Sequence, residues 1–237
     1  MNRFYKKIQL TVGETIEVKD ADLAHQVNRV LRVRVGEKIA VFNGDGVDFI
    51  CEVTGFGRDM VSLKVLDKVA TDSERPVRVH LYQAIPHTWS KFEDVLKKCT
   101  ELGAVSFYPV KTKRSETFLR AGDEPAKKER LTRILIEATE QCGGSCMPEL
   151  GNVIDFDEAC KSAKGVKIMA YEKASANGLS DIKLGDEISV FIGPEGGFTQ
   201  EEADMFEKNG GEIFHLGKRI LRTETAPTAI LGKIFFD

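Results

Sequence analysis

At Pro76 the chain changes rhythm, and that change restricts the available folds more than any other feature of the sequence. Beyond it, continuous apolar runs alternate with segments whose apolar residues recur at helical spacing. Residues 77–85 predict a strand. Phe92, Val95, Leu96, Cys99 and Leu102 then mark one helix face, closed by Gly103. Residues 105–110 predict a second strand, and Leu131, Ile134, Leu135, Ala138 and Cys142 a second helix ended by Gly143 and Gly144. Strands follow at 166–171, 187–192 and 212–216, and a helix from about Thr225 finishes the chain. Strands apolar on both faces and separated by helices form mainly parallel sheets covered by helices. An α/β fold is therefore expected.

The segment before Pro76 obeys a different period. Residues 16–18, 38–42, 47–53 and 61–65 read as short strands, with Gly55 and Gly57 as punctuation. Asn43, Gly44, Asp45 and Gly46 supply turn chemistry, because glycine and asparagine tolerate positive φ. One helix, about residues 21–31, interrupts the strands through Leu23, Val27, Val30 and Leu31. Short strands with glycine turns predict a small β-barrel. The polar stretch 71–76 is the natural linker, giving domains 1–72 and 73–237.

Composition removes several functional classes. The 237 residues hold no apolar run near the roughly 18 needed to span a bilayer, and the polar start Met1 to Lys7 is no signal peptide. Five cysteines, odd in number and without a C-x-x-C pair, predict reduced thiols in a cytoplasmic protein. No metal site is expected, because no histidine stands near Cys142 and Cys146 to complete a zinc pattern. A net charge of −3 and a pI near 5.9 exclude an indiscriminately basic nucleic-acid coat.

Two connections concentrate the chemistry. Ile192, Gly193, Pro194, Glu195, Gly196, Gly197 and Phe198 follow one strand and lead into a helix whose start, Thr199 with Glu202, is a capping box. Open α/β sheets bind ligands at the carboxyl ends of their strands, where glycine lets main chain approach a ligand closely. The run is neither a dinucleotide fingerprint nor a P-loop. A tight turn with glycine for geometry alone is its other reading. The second connection, residues 216–226, leaves the last strand at Gly217 and crowds Lys218, Arg219, Arg222, Thr223, Glu224 and Thr225 together. Solvated charge is the alternative there.

Together these two motifs resemble the bacterial 16S ribosomal RNA uracil-N3 methyltransferase family, a branch of the knotted SPOUT methyltransferases. Agreement extends to residues 25–32, 98–103, Arg114 with Ser115, and Glu140, Gln141 and Cys142. The resemblance implies a small PUA-like β-barrel that helps hold RNA, followed by a trefoil-knotted, mainly parallel SPOUT domain binding S-adenosylmethionine. It implies cofactor contacts from Tyr171 and Glu172, from Ile192, Gly193, Pro194, Glu195, Gly196 and Gly197, and from Leu216, Gly217, Ile220, Leu221, Arg222, Thr223, Thr225 and Ala226. A homodimer would complete the site.

Uracil N3 must lose its proton before it attacks a methyl group. Arg222 to stabilise the anion and Glu224 to take the proton or orient the cation are the catalytic candidates. Thr223 and Thr225 would shape the loop or cap the last helix. Candidate RNA contacts are His25, Arg29, Arg32 and Arg34 in the first domain, and Lys113 and Arg114 in the second. His80 and His215 read as packed side chains, and Trp89 as a base-stacking or helix-entry residue. Two departures stand out: residues 143–148, shortly after Cys142, carry no arginine, and residues 86–91 lack the family's glycine-lysine pattern. A SPOUT enzyme acting on another RNA, or a catalytically idle RNA-binding or assembly module, are the other functional readings. The partner is in each case an RNA, with 16S ribosomal RNA or the 30S subunit first.

Charge is unevenly divided. Residues 1–70 carry 11 basic and 10 acidic side chains, residues 71–133 carry 13 and 9, and residues 134–237 carry 10 and 18. From Leu23 to Arg34 there are three arginines and no acid. Local phosphate contact, and so salt-sensitive RNA binding, is compatible with the negative total.

Overall fold

The computed structural model describes residues 1–115, 124–174 and 178–236. Its first compact unit comprises Met1–Glu74 together with Thr139–Met147. Strands β1 (Arg3–Tyr5), β2 (Thr15–Lys19), β3 (Lys38–Phe42), β4 (Val47–Gly57) and β5 (Met60–Ala70) form one sheet in the order β1-β3-β4-β5-β2. The β1–β3 pair is parallel and the others antiparallel. Gly55 and Gly57 lie inside β4. The register shifts between Val53 and Gly55, so glycine here permits a bulge in a continuing strand. Phe4, Val18, Leu23, Val27, Ile39, Val41, Val53 and Leu63 pack into the core of this unit.

The expected helix at 21–31 is only half α-helical. Helix α1 (Ala21–His25), capped by the Asp20 carboxylate, passes into a π-helical turn over Gln26–Val30. There the Leu31 N–H reaches the Gln26 carbonyl at 2.9 Å. Widening the turn keeps Val27 buried while His25 and Arg29 point to solvent. Arg32 and Arg34 follow on the exposed stretch, Arg32 with φ of 53°.

Residues 139–147, expected in the second domain, belong to this unit, for reasons visible in its hydrogen bonds. Arg3 donates from Nε and Nη2 to the Asp48 carboxylate at 2.9 and 2.8 Å, and Ser145 Oγ donates to the same carboxylate at 2.6 Å. Glu140 accepts the Tyr5 N–H at 2.7 Å. The Glu74 carboxylate accepts the N–H groups of Ser145 and Cys146 at 2.8 and 2.9 Å. Charges drawn out of water in this way are retained where they are paired, and only Nη1 of the Arg3 guanidinium is without a partner among the described residues.

The second unit comprises Arg75–Ala138 and Pro148–Asp237. Its elements are β6 (Arg78–Ala84), α2 (Trp89–Leu102), β7 (Ser106–Lys111), α3 (Glu124–Cys142), β8 (Glu149–Leu150), β9 (Ile154–Asp155), α4 (Phe156–Ser162), β10 (Val166–Ala170), β11 (Glu187–Ile192), α5 (Gln200–Lys208), β12 (Glu212–Phe214) and α6 (Ala226–Phe236). The last residues of α3 count with the first unit. Among the described residues the sheet runs β12-β10-β11-β6-β7-β8, with β9 also on β7, and every pair is parallel. Tyr108, Tyr82 and Phe191 stack across β7, β6 and β11 with ring centroids 4.8 and 4.5 Å apart. Phe156, Ala159 and Cys160 of α4 and Phe206 of α5 close over that aromatic face. Burial pushes the Cys99 and Cys160 thiols up to about 12, so both are inert. No described helix is long and apolar enough to cross a membrane.

Candidate active site

Because all strands of the larger sheet run the same way, their carboxyl ends share one edge. There the chain after β10 (Tyr171 and Glu172), the loop after β11 (residues 193–199) and the loop after β12 (residues 215–225) enclose a cleft of about 360 Å³. Of the expected cofactor residues, Tyr171, Glu172, Ile192, Gly193, Pro194, Glu195 and Gly197 line it from the first two segments. Leu216, Gly217, Ile220, Leu221, Arg222, Thr223 and Ala226 line it from the third. Gly196 instead lines an adjoining basic cleft, and Thr225 is exposed outside the lining. Thr225 serves the start of α6: its N–H donates to the Arg222 carbonyl and its carbonyl accepts the Ala229 N–H.

Side chains fasten the loops after β11 and β12 to each other and to β6. The hydroxyl of Thr223, a buried residue, donates to the Gly193 carbonyl at 2.6 Å and accepts from Gln83 Nε2 at 2.9 Å. Gln83 sits at the end of β6 and is itself fully buried. One hydroxyl thus ties the loop after β12 to the loop after β11 and to a neighbouring strand. Gly197 adopts φ of +67°, a left-handed backbone that favours glycine, and a Cβ there would displace the Glu172 carboxylate 2.7 Å away. The expected capping box is present: Thr199 Oγ1 accepts the Glu202 N–H, and Glu202 Oε2 accepts the Thr199 N–H. The other oxygen of Glu202 accepts the Lys113 N–H at 2.7 Å.

Cations surround the glycine loop. Lys91 Nζ lies 2.6 Å from Glu195 Oε1, and the His87 N–H also donates to that carboxylate. Partial burial opposes ionisation of Glu195, yet Lys91 and the His87 amide hold its carboxyl below the ordinary range. Arg114, expected to meet phosphate, donates to the carbonyl of Gly196 and props the loop; Lys113 reaches Glu201 at 3.4 Å. Both remain exposed.

Arg222 and Glu224 are brought together loosely. Nη1 of Arg222 lies 3.9 Å from Oε1 of Glu224, at the outer limit of an ion pair, and the arginine side chain is 84% exposed. Glu224 Oε2 is buried and has no hydrogen-bond partner among the described residues, and neither does Gln83 Oε1. Of the two only Glu224 lines the cleft, and an unsatisfied acceptor there is costly unless a ligand completes it. Sequence reasoning passed over Lys91, Ala170 and Phe198 as lining residues, and His215 lines the cleft although packing was expected of it. Its Nδ1 accepts the Gly217 N–H at 3.0 Å, which shapes the turn. The apolar Phe198 directly after the glycines was the one legible signal. His80 is structural as expected, buried and bonded to Ser106 and Glu187.

Residues 73–234 match the family model described as an RNA methyltransferase domain, and residues 29–66 match an RNA methyltransferase PUA domain. Ribosomal RNA small subunit methyltransferase E of Bacillus subtilis is 31% identical over all of this chain and 97% of its own length. The protein of that name from Synechocystis is 32% identical over 94% of this chain and 73% of its own length. Among solved structures, a ribosomal RNA small subunit methyltransferase E from Neisseria gonorrhoeae bound to S-adenosylmethionine superposes with a TM-score of 0.90 at 32% identity, over 99% of this chain and 96% of that one. A methyltransferase from Legionella pneumophila with the same cofactor gives 0.90 at 30% identity, over 98% and 97%. The PUA-like barrel followed by a parallel-sheet SPOUT domain is thus the architecture found.

Proposed function

The chain belongs to the RNA methyltransferase family, and from that premise we propose that it methylates N3 of a specific uridine in 16S ribosomal RNA, using S-adenosylmethionine. The observation that carries the reading is the cleft in which Thr223 binds the glycine loop to the loop bearing Arg222 and Glu224. Its fit to the cofactor rests on this chain's own atoms. Gly197 takes a positive φ, a Cβ at Gly193 would press on the Gly197 backbone at 3.2 Å, and Glu224, which lines the cleft, has a buried Oε2 without a donor among the described residues. When bound, S-adenosylmethionine supplies an electrophilic methyl group on a sulfonium.

The residues then have separable tasks. Gly193 and Gly197 let the loop backbone close on the ligand, and Glu195, anchored by Lys91, fixes the loop. Arg222, held only loosely by Glu224, is free to approach a uracil carbonyl oxygen and favour the anion left when N3 loses its proton. Glu224 accepts that proton or aims the guanidinium. Most of the acceleration comes from alignment of nucleophile and methyl group, which requires little more than a rigid cleft. The exposed His25, Arg29, Arg32 and Arg34 suit phosphate contact and place the substrate. A homodimer belongs to the same reading, as the family resemblance implies. A cytoplasmic location follows from the substrate.

Arg222→Ala tests the assignment. With small-subunit RNA and saturating cofactor, kcat should fall on the order of 10²–10³-fold, the usual loss when one preorganised charge contact is removed. An unchanged rate discards Arg222. Calorimetry of the wild-type chain with S-adenosylmethionine should show binding; its absence leaves only the idle RNA-binding module.

A further inference from the structure

A second cleft, of about 590 Å³, shares no lining residue with the cofactor cleft. Its lining combines apolar Ile85, Pro109 and Leu131 with the indole of Trp89 and three cations, Lys111, Lys127 and Lys128. None of its lining residues is acidic. Trp89 opens α2 and is half-buried, its ring meeting Phe92 edge-on at 5.6 Å. Lys127 Nζ stands 5.2 Å from the indole centroid, and Lys128 Nζ donates to Asn152 Oδ1 at 2.9 Å. Gly151 brings the wall in close: a Cβ there would lie 2.2 Å from the Tyr108 ring.

We propose that this cleft is a nucleotide-binding subsite that takes one unpaired nucleotide of the RNA substrate, its base on the Trp89 indole and its phosphates among Lys111, Lys127 and Lys128. The inference rests on the RNA methyltransferase reading and adds to it. An aromatic face beside several cations, with no acid to neutralise them, is the composition that binds single-stranded nucleic acid. An exposed cation–π contact is weaker than a stacked base, so a base takes the ring face and releases the Lys127 ammonium to a phosphate. The site is also continuous with the chemistry. His87 and Lys91, flanking Trp89, line the basic cleft with Lys113 and Arg114, and Lys91 lines the cofactor cleft as well. An RNA strand following this basic path would bring a flanking nucleotide to Trp89 while its target base enters beside Arg222.

Trp89 is the chain's single tryptophan, so its emission reports the site directly. Titrating the full chain with a small-subunit RNA fragment should quench that emission to saturation, whereas uridine monophosphate should act only at far higher concentration. The double variant Lys111→Ala with Lys127→Ala should raise KM for RNA about tenfold, because two phosphate contacts are lost while the stack on Trp89 remains, with kcat and cofactor affinity unchanged. Its log–log salt slope should flatten by about 1.4, at about 0.7 per phosphate. Normal methyl transfer with no change in emission, or with an unchanged KM in the double variant, overturns the subsite and leaves the methyltransferase reading standing. Absence of both methyl transfer and RNA binding overturns both. Equal saturation by uridine monophosphate identifies a free nucleotide as the ligand, and emission that follows protein concentration identifies a second copy; either overturns the assignment to RNA.

Discussion

Thr223 has one hydroxyl and uses it twice, as donor to the Gly193 carbonyl and acceptor from the Gln83 amide. Replacing it with valine keeps the shape but takes this partner from the Gly193 carbonyl and from one N–H of the Gln83 amide, whose other N–H stays on the Ala84 carbonyl, at a cost of about 1–3 kcal/mol for the buried amide where no water enters. Thr223→Val should therefore lower the denaturant midpoint and weaken S-adenosylmethionine binding in calorimetry. Unchanged cofactor affinity would mean that the two loops hold together without it. In the sequence Thr223 and Thr225 were indistinguishable, two hydroxyls on one charged connection. Only packing separates them, because Thr223 is turned against β6 and the β11 loop while Thr225 starts a helix in solvent. Arg114 teaches the same lesson. Its exposure was legible, but its bond to the Gly196 carbonyl was not, since no local pattern joins residues so distant in the chain.

At the scale of elements, periodicity reported what it could. The long apolar strands β6 and β11 and the faces of α2 and α3 were readable because burial repeats along them. Strands β1, β8 and β9 are too short to show a period, and their pairing is set by β3 and β7. Helix α4 did carry a signal: Phe156, Ala159, Cys160 and Ala163 recur at helical spacing, and all are buried. The π-helical turn after α1 was illegible, because α and π spacing differ by one residue per turn. His80 joins three strands, with Nδ1 2.6 Å from Ser106 Oγ and Nε2 3.1 Å from Glu187 Oε1. Burial lowers its pKa below 6.5 and outweighs the pull of Glu187. The unfolded chain then binds a proton that the folded chain refuses, so this contribution to stability is complete above 6.5 and declines as pH falls below it. Urea midpoints should be lower at about pH 5.5 than at about pH 7.5, and His80→Gln should remove that part of the slope. A variant with the wild-type slope would assign it to other groups.

For the whole molecule, the change of rhythm at Pro76 announced two kinds of structure, and both are found. What it could not announce was the return of residues 139–147 to the first unit. That depends on Arg3, Tyr5 and Asp48 meeting Glu140 and Ser145 from about a hundred or more residues away in the sequence. Nor does any period disclose the threading that the SPOUT resemblance implies. The net charge of −3 is likewise a poor guide to partners, for the exposed arginines of the first unit and the basic cleft beside the glycine loop stand apart from the acidic excess. The likeness to RNA methyltransferases was readable because two glycine- and charge-bearing connections occur together in the sequence, and the structure sets both at the strand ends of one parallel sheet. The central claim is methyl transfer to uridine N3 in small-subunit RNA, and nucleoside mass spectrometry of that RNA tests it most directly. After incubation with the chain and S-adenosylmethionine, RNA lacking the modification should gain N3-methyluridine approaching one per molecule; RNA that gains none, with cofactor bound and the chain folded, would contradict the account.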